Sequence, residues 1–273
     1  MAEIKAADVS KLRKATGAGM MDCKKALTEA NGDFEKAVEI IRKKGQAVAN
    51  KRADREATEG AILAKTEGKK GAIITLNCET DFVAKNEDFV AFAEKILDVA
   101  LENLPADLDA LKKLELEDKT IEEKVTEQVG IIGEKIDLSA YGKIEAQEVV
   151  PYIHPGNKLA TLVGFSKSVD TQVGKDIAMQ IAAMAPVAVD KDDVPAEVIE
   201  KEKEIGREQA RMEGKPENIL DRIAEGKLNK FFKESTLLNQ DFTKDSKKSV
   251  GQYLKEADPE VKVTEFLRFG LAN

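Results

Sequence analysis

Few residues in this 273-residue chain could carry out covalent chemistry. His154 is the only histidine, and catalysis through it would need a Ser, Cys or metal-ligand partner at a recognisable spacing, which the sequence does not offer. It ends a strand-like run beside Pro155-Gly156, so it serves either the structure or a surface contact. Cys23 and Cys78 are far apart, giving neither a disulfide framework nor a metal-ligand spacing, and both fall in apolar patterns that read as small buried thiols. A thiol-dependent enzyme built on one of them is the competing reading. Val173-Gly174-Lys175-Asp176 lacks the earlier Gly and the Ser or Thr after Lys that a phosphate loop requires. Asp and Glu are abundant, yet none forms a pair assignable to acid/base work. These residues describe a binder rather than an enzyme, with no cofactor and no metal of its own.

The segment best suited to touching another molecule is Thr80-Asp81-Phe82-Val83. It follows the β-branched run Gly71 to Cys78 and precedes a helix that Asn86 can cap, with Phe89, Phe92, Ala93, Ile96, Leu97 and Ala100 on one face. Phe82 lies upstream of that stripe. Either it tucks into its own core while Asp81 satisfies a turn, or the pair is presented to a partner from a loop on a rigid scaffold.

The elements that hold this loop can be traced along the chain. Three short apolar stripes come first: Val9, Leu12 and Ala15, stopping at Gly17; Cys23, Ala26, Leu27 and Ala30; and Phe34, Ala37, Val38 and Ile41. Asn31-Gly32 supplies the left-handed residue ending the second helix, Asp33 can cap the third and Gly45 can end it. Met20 and Met21 in the first turn either fill the bundle core or stay exposed. The basic stretch Arg42 to Arg55 reads as a solvated helix end and linker. A hairpin from Ala61 to Cys78 follows, and a similar order returns as a strand from Lys143 to His154, a turn, a strand from Leu159 to Ser166 and a helix face of Val173, Ile177, Ile181 and Met184. Val198, Ile205 and Met212 recur every seven residues, and Ile219, Leu220, Ile223 and Phe231 line a second helix of a thin hairpin. Asp241-Phe242 in a loop, a helix with Val250, Tyr253 and Leu254, and a strand Val261-Lys262-Val263 close the chain, returning to the core.

The fold class is α+β. The expected divisions are 1–54 (bundle and linker), 55–140 and 141–186 (two duplicated hairpin-plus-helix subdomains), 187–232 (helical hairpin) and 233–273 (C-terminal module). A net charge of −8 and a pI near 5.1 argue against nucleic acid as the main ligand. No apolar run approaches the roughly 18 residues of a membrane span, and Met1-Ala2-Glu3-Ile4-Lys5 carries no apolar signal region, so a cytoplasmic protein is expected.

Two segments carry a resemblance. Thr16-Gly17-Ala18-Gly19-Met20-Met21-Asp22-Cys23-Lys24-Lys25-Ala26-Leu27, followed by Asn31-Gly32-Asp33, and the run Asn77 to Lys85 resemble the two signature regions of the bacterial elongation factor Ts family. The likeness continues through the Val198 to Phe232 hairpin and Ser249 to Leu254. It implies a ubiquitin-associated-like (UBA-like) three-helix N-terminal domain, two related α+β subdomains, a coiled-coil dimerisation hairpin and a C-terminal module. The implied activity is guanine-nucleotide exchange on elongation factor Tu, with residues matching Thr80, Asp81, Phe82 and Val83 approaching the Mg²⁺ and phosphate side of Tu and the Phe82 match wedging between Tu helices. The family pattern also places Leu12 and Met20 on a surface meeting Tu, and His154 near the Tu-facing side. A homodimer or 2:2 complex through the hairpin is left open. Some family members continue beyond the Arg268 to Asn273 end, which leaves tail contacts open. An adaptor module of another kind, recognising ubiquitin-like or peptide partners, is the alternative that the small bundle allows.

Overall fold

The computed structural model describes residues 4–271. Met1 to Glu3, part of the N-terminal stretch lacking an apolar signal region, and Ala272-Asn273 of the tail lie outside the described residues. Three helices open the chain: α1 (Ala6–Thr16), α2 (Met20–Glu29) and α3 (Phe34–Arg52). Their core is Leu12, Cys23, Ala26, Leu27 and Ala37, all nearly solvent-free. Gly17 (φ 67°) ends α1 and donates its N–H to Arg13, Asn31 and Gly32 (φ 53° and 87°) turn the chain after α2, and Asp33 accepts from Lys36 N–H to cap α3.

Next come β1 (Glu59–Glu67), β2 (Lys70–Cys78), the single turn α4 (Asp81–Ala84), α5 (Glu87–Asn103), α6 (Leu108–Lys112), a small hairpin of β3 (Glu115–Leu116) and β4 (Lys119–Thr120), α7 (Ile121–Ile132) and β5 (Asp137–Glu145). The second series is β6 (Glu148–Ile153), β7 (Leu159–Phe165), α8 (Thr171–Met184), the helices α9 (Ala196–Met212) and α10 (Leu220–Ser235), a small hairpin of β8 (Asp241–Phe242) and β9 (Asp245–Ser249), α11 (Val250–Ala257) and β10 (Val263–Gly270). Each series forms a three-stranded antiparallel sheet, β1-β2-β5 and β6-β7-β10, with the hairpin's second strand in the middle. Each small hairpin leads into a helix with a capping box, Thr120 with Glu123 and Ser249 with Gln252.

The two sheets pack face to face. Side chains alternate across β1 and β2, so Ala61, Leu63, Ala72, Ile74 and Leu76 pack with α5 while Ile62, Ala64 and Ile73 meet Ile144, Val149, Ala160 and Leu162 between the sheets. Burial on both faces explains why these strands read as unbroken apolar runs. On the far face of the second sheet, Val163 and Phe165 pack under Val173, Ile177 and Ile181 of α8.

Several boundaries differ from the sequence expectation. Helix α3 does not stop at Gly45; it runs to Arg52, so most of the basic stretch is helix rather than linker. Gly45 instead meets Gly130 of α7, where a Cβ on Gly130 would lie 2.5 Å from the Gly45 Cα. The expected strand Lys143 to His154 is two strands: β5 ends at Glu145 in the first sheet, and Ala146-Gln147 carries the chain across to the second. The division at 140/141 therefore falls inside β5. In the helical hairpin the seam is Gly206 and Ala210 against Leu220, Ala224 and Leu228, since Gly206 lets the helices approach until its Cβ would meet Ala224 Cα at 3.1 Å. Met212 is 88% exposed and Val198 and Ile205 lie on half-buried flanks, so the seven-residue repeat does not mark that seam. Asp241-Phe242 is strand rather than loop, Phe242 stacking on Tyr253 at 4.2 Å, and the last strand starts at Val263 and continues to Gly270.

A buried carboxylate ties the C-terminal module to α8. Asp176 accepts from Gln172 (2.7 Å), Lys244 Nζ (2.6 Å) and Tyr253 OH (2.9 Å). Burial pushes its carboxyl up, and Lys244, Gln172 and Tyr253 outweigh that and hold it below the ordinary value. A depressed folded pKa means stability present above the usual carboxylate value and lost as pH falls through it. Asp176→Asn should cost about 1–3 kcal/mol near neutral pH, less than a fully buried pair because Lys244 is half-exposed. Thermal unfolding against pH should show the wild-type advantage shrinking below about pH 4. In Gly130→Ala, backbone overlap with α3, about 1–3 kcal/mol, should exceed the roughly 1 kcal/mol gained in helix propensity. The melting temperature should fall and protease cleavage near Arg52 should rise.

Candidate docking site

Phe82 is 83% exposed on the four-residue helix α4, so the reading that it tucks into its own core is overturned. The segment is a helical turn rather than a loop because Thr80 caps it, its hydroxyl accepting from Val83 N–H. Val83 is half-buried against the core beneath and Ala84 is buried, which leaves Phe82 as the outward side chain. Asp81 is paired within its own turn: its carboxylate lies 2.6 Å from Lys85 Nζ, one helical turn on. The Lys85 hydrogen bond holds the Asp81 carboxyl below its ordinary value, and Lys158 adds to the effect.

Thr80 is itself gripped from behind. Glu134, just after the left-handed Gly133 that ends α7, accepts Thr80 N–H at 3.0 Å and Thr80 Oγ1–H at 2.7 Å. Glu79 accepts Arg52 at 2.6 Å, Arg55 at 3.1 Å and Lys135 N–H at 2.6 Å. Partial burial alone would raise the Glu79 carboxyl, but these donors hold it down at about 2. Cys78 Sγ–H donates to Thr80 O at 3.2 Å; burial, with the charges of Glu134 and Glu59, pushes this thiol up to about 12.

The turn between β6 and β7 lies at the same end. Asn157 C=O accepts Ile62 N–H at 2.7 Å, and Lys158 Nζ sits 2.7 Å from Glu59. His154 is exposed in this turn, with Nδ1 2.9 Å from Tyr152 OH. The structure thus brings Thr80, Asp81, Phe82, Val83 and the His154 turn together. Met20 and Met21 are 58% and 63% exposed, overturning the core reading, but they form a separate patch on the bundle. Leu12 is fully buried inside that bundle, so it can shape the surface from beneath but offers no side chain to a partner. The long-range partners Glu134, Lys135, Arg52 and Arg55 were not legible in sequence; only Lys85, four residues after Asp81, had a local signal.

A cleft of about 360 Å³ lies elsewhere, along the seam between the bundle and α7, lined by Ile41, Gly45, Val48, Gly130 and Ile131 among charged pairs. Among the described residues no group of three or more His, Cys, Asp or Glu could hold a metal, and no helix is long and apolar enough to cross a membrane.

An outward aromatic on a stiff, capped turn has the geometry of a protein-docking surface. The elongation factor TS family model matches residues 79–273. Elongation factor Ts of Christiangramia forsetii is 52% identical over 99% of this chain and all of that relative, and that of Amoebophilus asiaticus is 56% identical over 97% of this chain and 98% of its own length. Elongation factor Ts of Porphyromonas gingivalis is 52% identical over 97% of both chains. The class is therefore a translation elongation factor. The chain belongs to the elongation factor Ts family.

Both thiols are buried, which counts against the thiol-enzyme reading. An aromatic disulfide reagent at pH 8 should leave Cys23 and Cys78 unmodified in the native protein and react with both on unfolding. Rapid modification of either in the native state would revive that reading.

Proposed function

We propose that the chain is a guanine-nucleotide exchange factor that binds GDP-loaded elongation factor Tu and promotes GDP release. The observation that carries this reading is Phe82, an aromatic side chain held outward by a capped turn in a member of this family. Exposing a large apolar ring to water is unfavourable unless a partner covers it. Asp81, Phe82 and the flanking Thr80 and Val83 act on Tu's Mg²⁺ and phosphate site, with His154 and Met20 as further contacts. Mg²⁺ bridges the nucleotide's phosphate oxygens in such GTPases, so disturbing its support weakens GDP. Thermodynamic reciprocity does the rest: a factor that prefers nucleotide-free Tu weakens GDP by the same ratio. The chain itself makes and breaks no covalent bond and holds no nucleotide.

The three-helix bundle acts as a UBA-like docking unit, and the two sheet-plus-helix units with their helical hairpin and C-terminal module act as the frame. The outer flanks of α9 and α10, with Val198, Ile205 and exposed Met212, suit pairing with a second copy in a homodimer or 2:2 complex.

Substoichiometric amounts of the protein should speed release of labelled GDP from Tu. Asp81→Ala with Phe82→Ala should slow that release about 10- to 30-fold, the equivalent of about 2 kcal/mol for a central aromatic anchor, with an unchanged circular dichroism spectrum. No acceleration by the wild-type protein would overturn the exchange reading. A fully active double variant would overturn only the role of the turn.

A further inference from the structure

The exchange reading uses the outward side of the turn and leaves its inward side unassigned. There, two carboxylates do different jobs. Glu134 receives both donors of Thr80, the N–H at 3.0 Å and the hydroxyl at 2.7 Å. Glu79 receives Arg52 from the end of α3 and Arg55 from just beyond it, together with the backbone N–H of Lys135. Lys135 closes the loop, its Nζ donating at 2.8 Å to the carbonyls of Ala53 and Arg55 just beyond α3. The ends of α3 and α7 therefore meet behind residues 79 and 80, and the same two helices cross in backbone contact at Gly45 and Gly130.

A four-residue helix cannot hold its own shape, because nucleation of a first turn is unfavourable without outside support. Its internal cap, Val83 N–H to Thr80 Oγ1, spans a long 3.5 Å. Hydrogen bonds to an ionised carboxylate are about twice as strong as neutral ones, and Glu134 makes two of them to one residue. The turn that presents Phe82 is thus braced at Thr80 by Glu134, and the adjoining Glu79 is held to the end of the helical bundle.

We propose that Glu134 and Glu79 are positioning residues that lock the Phe82 turn to the ends of α3 and α7, so that bundle and turn press on the partner as one rigid lever. This rests on the exchange-factor reading. Glu134 acts on the turn through Thr80, so its removal affects the step that needs a directed push rather than first contact.

The test is GDP release from Tu followed over a range of factor concentrations. Glu134→Ala should lower the maximum rate about tenfold, the order of effect that one or two charged hydrogen bonds carry, while the half-saturating concentration changes less than about twofold. Glu134→Gln, which keeps one acceptor oxygen, should recover part of the rate. In a Phe82→Ala background, Glu134→Ala should add nothing, since a residue acting through Phe82 has nothing left to position. Amide hydrogen exchange at residues 81–85 should speed up in Glu134→Ala and in Glu79→Gln. The lever is overturned if Glu134→Ala and Glu134→Gln both keep the wild-type maximum rate, or if Glu134→Ala costs as much without Phe82 as with it. A wild-type protein that does not accelerate release overturns the exchange reading and the lever together, an outcome distinct from either of those.

Discussion

The face-to-face contact of two three-stranded sheets is the constraint on which the other features depend. Ile62, Ala64 and Ile73 on one side and Val149, Ala160 and Leu162 on the other leave no room for larger groups. At Gly71 a Cβ would come within 2.6 Å of Val149. That proximity brings the turn between β6 and β7 across to the start of β1, where Asn157 bonds Ile62 and Lys158 pairs with Glu59. The Phe82 turn follows β2 at the same end. The β6–β7 turn is therefore placed beside it by sheet packing and not by the local sequence.

Around that apolar centre, charged groups do the fastening. Glu79 and Glu134 join the end of the central strand β2 to the ends of α3 and α7, and Asp176 joins α8 to the C-terminal module. Neither Glu79 nor Asp176 is fully removed from water together with its cations: the Arg55 side chain is 59% exposed and that of Lys244 48%. This arrangement limits the desolvation cost that makes fully buried ion pairs poor stabilisers, while every acceptor oxygen still finds donors. Such contacts fix direction better than they add stability.

Local signals in the sequence were legible where they sufficed to determine structure. The stripe from Phe89 to Ala100, the caps at Asn86 and Asp33 and the turn at Asn31-Gly32 depend on residues close in sequence, and the structure contains each of them. Gly45 misled because glycine ends helices and also permits close crossings, and only the position of Gly130 separates the two. The junction of β5 and β6 was hidden because only Ala146-Gln147 part the two strands and neither residue is a turn former. The seam of the helical hairpin followed small residues, Gly206 and Ala210, to which a search for large apolar repeats is blind. At the candidate site, the exposure of Phe82 could be suspected from its place outside the helix stripe, whereas Glu134 lies far along the chain with no pattern linking it to Thr80.

Both sheets are completed late. The central strand β7 gains its second neighbour, β10, only after α8, the helical hairpin and the β8-β9-α11 module have been made. During vectorial synthesis the nascent second unit carries an open strand edge, and the apolar side chains that Phe266 joins on α8 lack part of their cover. The helical hairpin, whose contacts are local, can form while that edge waits. A member of a translation-factor family thus has half of its own framework closed only once β10 has been made, so a chain terminated before β10 leaves an unpaired β-edge rather than a shortened but finished unit.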